Sequence, residues 1–173
     1  HVILLAQDVF KLNLKNGKIT KMLGVLHPEE GKPGLNVFAV WNNWSPGKNG
    51  MVSVPAYSAE ALFYILIDKK GNLRMQKAEE VIFAYTGTVS PDSKYIYAVM
   101  DEVYKIDLKT GKTLAMDPLE RGTCYDVNLT SDGKKLYVGP AGPDLSVYDT
   151  ATMKRLGIIP LKSDATLASL ITK

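Results

Sequence analysis

The sequence has one cysteine, Cys124, and two histidines, His1 and His27. A single cysteine excludes an internal disulfide and leaves the redox compartment open. The histidines belong to no metal-spaced cluster, and a zinc set drawn from His27, Glu29, Glu30 and Cys124 lacks the spacing of a metal site. There is no G-x-S-x-G elbow, no phosphate-cradling glycine loop and no C-x-x-C-H haem attachment. No catalytic residue and no metal ligand is therefore assigned. No apolar run reaches the roughly 18 residues that a membrane helix needs. An excess of one charge sign is missing too: 21 Lys and Arg stand against 18 Asp and Glu, for a net +3. The basic residues sit beside turns, in "LKNGK", "DKKGN", "LKTGK" and "SDGKK", where lysine protects sheet edges from pairing. No basic stripe supports nucleic-acid binding. Helical periodicity is also missing. The best candidate, "SAEALFYILIDKK", runs through Ile65, Leu66 and Ile67 into a D-K-K-G turn, so it reads as strand with at most a helical turn at Ser58 to Ala61.

What is present is a repeat. "VFKLNLKNGKIT" and "VYKIDLKTGKTL" stand about ninety residues apart, and each reads as strand, tight turn, strand. The turn recurs at Gly17, Gly71, Gly111 and, in variant form, near Met153. A second phrase recurs inside that frame, "VSPDSKYIYAV" answering "LTSDGKKLYVG". Each unit then holds four short strands in about 40 residues, which is the blade of a β-propeller. The expectation is an all-β chain of about four blades, each of four antiparallel strands. "HVILLA" already reads as strand and no initiator Met or signal peptide precedes it, so residues are expected before His1 and the chain is expected to be part of a larger propeller.

The first spacing is longer than the others, and the excess falls at about 27–58, within a single domain over 1–173. That stretch carries Trp41, Trp44 and Tyr57. Insertions in repeat proteins map to loops, often on the binding face. Two readings stay open here, a partner or ligand surface and a plug that caps its own blade. Cys124 enters an apolar strand and is expected to be buried. Asp126 interrupts the same strand, either to face the central channel or to hold a backbone amide.

The same residues, taken in order, resemble a known family. "QDVFKLNLKNGK", "LNVFAVWNNWSPG", "MVSVPAYS", "EEVIFAYTGTVSP", "CYDVNLTSDGKKLYVGPAGPDLSVYDTATMKRLG" and "TLASLITK" are similar to the C-terminal half of the β subunit of quinohemoprotein amine dehydrogenase, a periplasmic bacterial enzyme. The resemblance includes the Trp-bearing insertion, and it departs at Gly122, where the family has His, and at Cys124, where it has Tyr. It implies a seven-bladed propeller of the YVTN-like kind with no prosthetic group of its own. It also implies two partners, a di-haem cytochrome c subunit and a small subunit carrying cysteine tryptophylquinone, so that haem c and the quinone lie on other chains. The enzyme oxidises primary amines to aldehydes and ammonia and passes electrons through the haems. The propeller would contribute cavity walls and a docking surface, with Trp41, Trp44, Tyr57, Tyr85 and Tyr125 as pocket or interface residues. The rival reading is a non-enzymatic propeller module for binding at the surface of a secreted bacterial protein.

Overall fold

The computed structural model describes residues 1–5, 8–32, 34–37, 43–44, 47, 49–58, 61–79, 84–119, 122–140 and 142–165. Among them the chain is strand and turn without a helix. The first sheet is β1 (Val2–Leu5), β2 (Val9–Leu12) and β3 (Ile19–Leu23). The second is β4 (Asn36–Val37), β5 (Asn43–Trp44), β6 (Val52–Tyr57), β7 (Leu62–Ile67) and β8 (Leu73–Lys77). The third is β9 (Thr86–Val89), β10 (Tyr95–Val99), β11 (Glu102–Asp107) and β12 (Thr113–Pro118). The fourth is β13 (Cys124–Leu129), β14 (Lys135–Pro140), β15 (Gly142–Asp149) and β16 (Arg155–Ala165). Every pairing is antiparallel between neighbours in the chain, apart from the second sheet, where β4 and β5 both pair with β6. These are the blades of a β-propeller, numbered 1 to 4 below.

Turn chemistry explains why the chain folds back so regularly. At the last turn of each blade a side-chain oxygen accepts backbone N–H groups: Asn13 from Lys15, Asp68 from Lys70 and Asn72, Asp107 from Lys109 and Thr110, Asp149 from Thr152. The chain then needs a positive φ. Gly17, Gly71 and Gly111 supply it freely, while Met153 adopts φ 56° with its side chain buried in the core. At the first turn, Ser90 donates to Asp92 and Thr130 to Asp132, at 2.7 and 2.6 Å.

The core is three apolar seams between successive blades rather than one central mass. Val9, Val54, Ile65 and Ile67 fill the seam between blades 1 and 2. Leu62, Tyr64, Ile96 and Ile106 fill that between blades 2 and 3, and Val99, Val127, Leu136 and Tyr148 that between 3 and 4. The seams set the burial pattern of "VYKIDL". Strict alternation would leave Val103 solvated, but it is fully buried against blade 4 while Tyr104 and Ile106 are buried against blade 2. A blade between two others has no wet face, so the period-two signal weakens.

Polar groups lock the seams. Ser53 Oγ donates to Gly87 O across blades 2 and 3 at 2.5 Å. Lys105 Nζ donates to Thr150 O across blades 3 and 4 at 2.7 Å, and the Lys105 ammonium also lies 4.4 Å from the Tyr95 ring centroid. The backbone joins in, with the Glu79 N–H donating to Gly111 O and the Cys124 N–H to Met100 O.

Candidate functional site

The opening strands of blades 3 and 4, β9 and β13, lie side by side, and β6 of blade 2 lies against β9. Side chains at the starts of β9 and β13 and at the end of β6 therefore converge. Tyr85 stands one residue before β9, where its N–H donates to Val99 O at 2.9 Å. Tyr125 is the second residue of β13. The β13–β14 register shifts between Cys124 and Asp126, which leaves Tyr125 as the bulged residue. A bulge rotates its side chain out of the sheet pattern. Here the rotation brings Tyr125 onto Tyr85, with ring centroids 5.2 Å apart and planes 22° apart. Both rings are half-buried. An aromatic pair of this kind contributes about 0.5–1.5 kcal/mol beyond its burial.

Tyr57, the last residue of β6, holds this pair from behind. Its hydroxyl donates to Ala84 O and accepts from the Ala84 N–H, clamping the residue that precedes Tyr85. Burial pushes the Tyr57 phenol up to about 12, and the neighbouring Tyr85 hydroxyl adds to the shift. Tyr57 is neutral at physiological pH and acts as a fixed hydrogen-bonding strut. The structure thus joins Tyr57, Tyr85 and Tyr125 across three blades.

The tryptophans are placed differently. Trp41 lies outside the described residues. Trp44 belongs to β5, where its backbone pairs opposite Val52. Within the stretch at about 27–58, Asn36 and Val37 pair with Tyr57 and Ala56, and Asn43 and Trp44 with Ser53 and Val52. Ser58 and Ala61 form the turn between β6 and β7, the Ala61 N–H donating to Ser58 Oγ at 3.1 Å.

Cys124 is enclosed in the seam between blades 3 and 4, and burial first, then Asp101 and Asp144, pushes its thiol up to about 12. A protonated, buried thiol is a poor nucleophile and does not fit a covalent haem or quinone link in this chain. The buried Asp126 carboxylate accepts the Val127 N–H and the Asn128 side-chain amide, both at 2.9 Å. Among the described residues no three of His, Cys, Asp and Glu are grouped to hold a metal ion. Sequence reasoning missed Tyr64, which is fully buried near Tyr57 and Tyr104 with its hydroxyl unpartnered among the described residues. Nothing in "LFYILI" marks it, because every neighbour in that strand is apolar.

No protein-family model and no curated protein sequence matches the chain. Solved structures do. Hydrazine synthase of Kuenenia stuttgartiensis matches with a TM-score of 0.56 and 18% identity, over 71% of this chain and 36% of that one. Dihydro-heme d1 dehydrogenase NirN in complex with DHE matches with a TM-score of 0.59 and 16% identity, over 92% of this chain and 34% of that one. At these identities the likeness shows the propeller fold alone. The chain spans about a third of the length of either solved chain.

Proposed function

We propose that this chain is propeller scaffold in a periplasmic amine-oxidising dehydrogenase of the quinohemoprotein type and carries no catalytic group itself. On this reading a small partner subunit supplies the quinone and a di-haem cytochrome c subunit takes the electrons. The observation that carries the proposal is the Tyr85–Tyr125 stack at the starts of β9 and β13, braced by Tyr57 at the end of β6. Two flat rings at low conformational cost make a dry wall for the alkyl or aryl part of an amine. Their faces also favour the ammonium form of the substrate during entry. Tyr57 keeps the wall in place, and the rigid blades exclude water from a reactive group presented by a partner. The family resemblance supports the assignment of chemistry, and one solved neighbour of the same fold is named a dihydro-heme d1 dehydrogenase.

The test is purification of the protein with whatever it binds in its own cells. The expected product is a coloured complex whose haem absorbance is reduced by a primary amine, with Tyr85→Ala and Tyr125→Ala raising KM about tenfold or more. A colourless chain that binds neither cytochrome nor quinone subunit would end this reading and favour the surface-binding module.

A further inference from the structure

The turn aspartates Asp68, Asp92, Asp107, Asp132 and Asp149 commit their carboxylates to the fold, each accepting a backbone N–H of its own turn. Asp101, in the turn between β10 and β11, does not. Its Oδ1 accepts the Thr123 hydroxyl at 2.9 Å, from the link that enters blade 4. Among the described residues neither a backbone N–H nor a cation meets this carboxylate, and Asp101 is exposed. The repeat does not call for an acid here. Aligning the Asn13, Asp68, Asp107 and Asp149 turns sets Gln7, Leu62 and Pro143 at the matching place in the other blades.

The position of Asp101 is tied to both strands that carry the tyrosine wall. The Tyr85 N–H donates to Val99 O at 2.9 Å, the Cys124 N–H to Met100 O at 2.7 Å, and Thr123 Oγ1 to Asp101 Oδ1. Val99, Met100 and Asp101 therefore run from Tyr85 along the start of β13 and end at the residue two places before Tyr125. The charge is felt there as well, since burial first and then Asp101 raise the Cys124 thiol. An uncapped carboxylate at this end of an aromatic wall suits a cation. It forms a charge-assisted hydrogen bond with an ammonium, and ring faces attract the same group.

We propose that Asp101 sets the substrate class of the site by binding one ammonium of a short primary diamine whose methylene chain lies on the Tyr85–Tyr125 wall. This rests on the amine-oxidising reading above. One end of the diamine stays on Asp101 while the other is presented to the partner's quinone. Thr123 is the positioning residue, since its hydroxyl fixes Oδ1 and leaves Oδ2 for the ligand. A monoamine of the same length leaves Asp101 to water and forgoes that contact. An exposed ion pair contributes up to about fivefold, and a docked subunit that excludes water raises this to about tenfold.

The experiment compares KM for 1,4-diaminobutane and butylamine in the purified complex, with Asp101→Asn and Thr123→Val alongside. Asparagine keeps an oxygen for the Thr123 hydroxyl and removes only the charge. The expected result is a diamine KM about tenfold below the butylamine KM, an advantage that salt weakens. Asp101→Asn should bring the ratio of the two KM values to about one with Tm unchanged, and Thr123→Val should reduce it. Equal KM values in the unsubstituted complex, or a diamine advantage that survives Asp101→Asn, would overturn the assignment while the dehydrogenase reading stands. A fall in Tm with both amines affected alike in Asp101→Asn would make Asp101 a tie between blades, and would overturn it equally. A complex that oxidises no amine would end both readings.

Discussion

Blade 1 and blade 3 carry nearly the same hairpin in different surroundings. "VFKLNLKNGKIT" and "VYKIDLKTGKTL" form the same antiparallel pair, the same side-chain-capped turn and the same positive-φ glycine. The hairpin of blade 3 is sealed on both faces, while that of blade 1 is sealed on one. Local shape is therefore a property of the twelve residues, and burial is a property of the neighbours. The turns show the same division. A Cβ on Gly111 would stand 2.0 Å from Lys77 O, on the backbone of the preceding blade, whereas a Cβ on Gly71 would meet only the His1 side chain.

That contrast can be broken by substitution. Gly111→Ala combines a left-handed φ, costing about 1–2 kcal/mol, with a backbone overlap that no rotamer relieves, so a loss of about 3 kcal/mol or more is expected. Gly71→Ala carries the φ cost with a movable side chain as neighbour, so about 1–2 kcal/mol is expected. Urea midpoints at constant m would check both, and equal losses would show that the close approach at Gly111 does not matter. A smaller effect is expected at the tyrosine cluster. Tyr57→Phe leaves the buried Ala84 backbone without its partner and should cost about 1–3 kcal/mol, while Tyr104→Phe gives up a bond to the partly exposed Glu102 and should cost about 1 kcal/mol or less. Tyr57→Phe should also loosen the Tyr85–Tyr125 stack, read as a change in near-ultraviolet circular dichroism that Tyr104→Phe does not produce.

The smallest expected effect separates the blades by pH. Hydrogen bonds from Thr110 lower the pKa of Asp107, and those from Thr152 lower that of Asp149. A carboxylate with a depressed folded pKa contributes stability above its unfolded value of about 3.9, and that contribution is lost as pH falls through the folded pKa. Asn13 does the same job in blade 1 with an amide that does not titrate. Amide protection at Thr110 and Thr152 should therefore fall below about pH 4 while that at Lys15 holds. Asp107→Asn should remove the difference at its own turn. Simultaneous loss at all three turns would mean that acid acts on the whole fold at once.

Much of this architecture was legible before the coordinates. The recurring capped turns, the forty-residue frame and the apolar strands between them lead to four-stranded blades because each signal is local: a turn needs its own side-chain oxygen and its own positive-φ residue. Cys124 was legible as a buried thiol for the same reason, an apolar strand around it. Tyr85 and Tyr125 stood out through the family resemblance, but their contact did not. It depends on a register shift between Cys124 and Asp126, and on two strands from different blades coming side by side.

Sequence alone determined the repeat, the turn types and which residues could serve as seam. It could do so because hydrogen bonds across a tight turn and alternation along a strand involve residues within a few positions of each other. Only the tertiary structure decided which faces meet, that Tyr57 reaches Ala84, and that Tyr85 stacks on Tyr125. Those contacts join residues tens of positions apart, and they exist only because radial packing brings the starts of β9 and β13 and the end of β6 together.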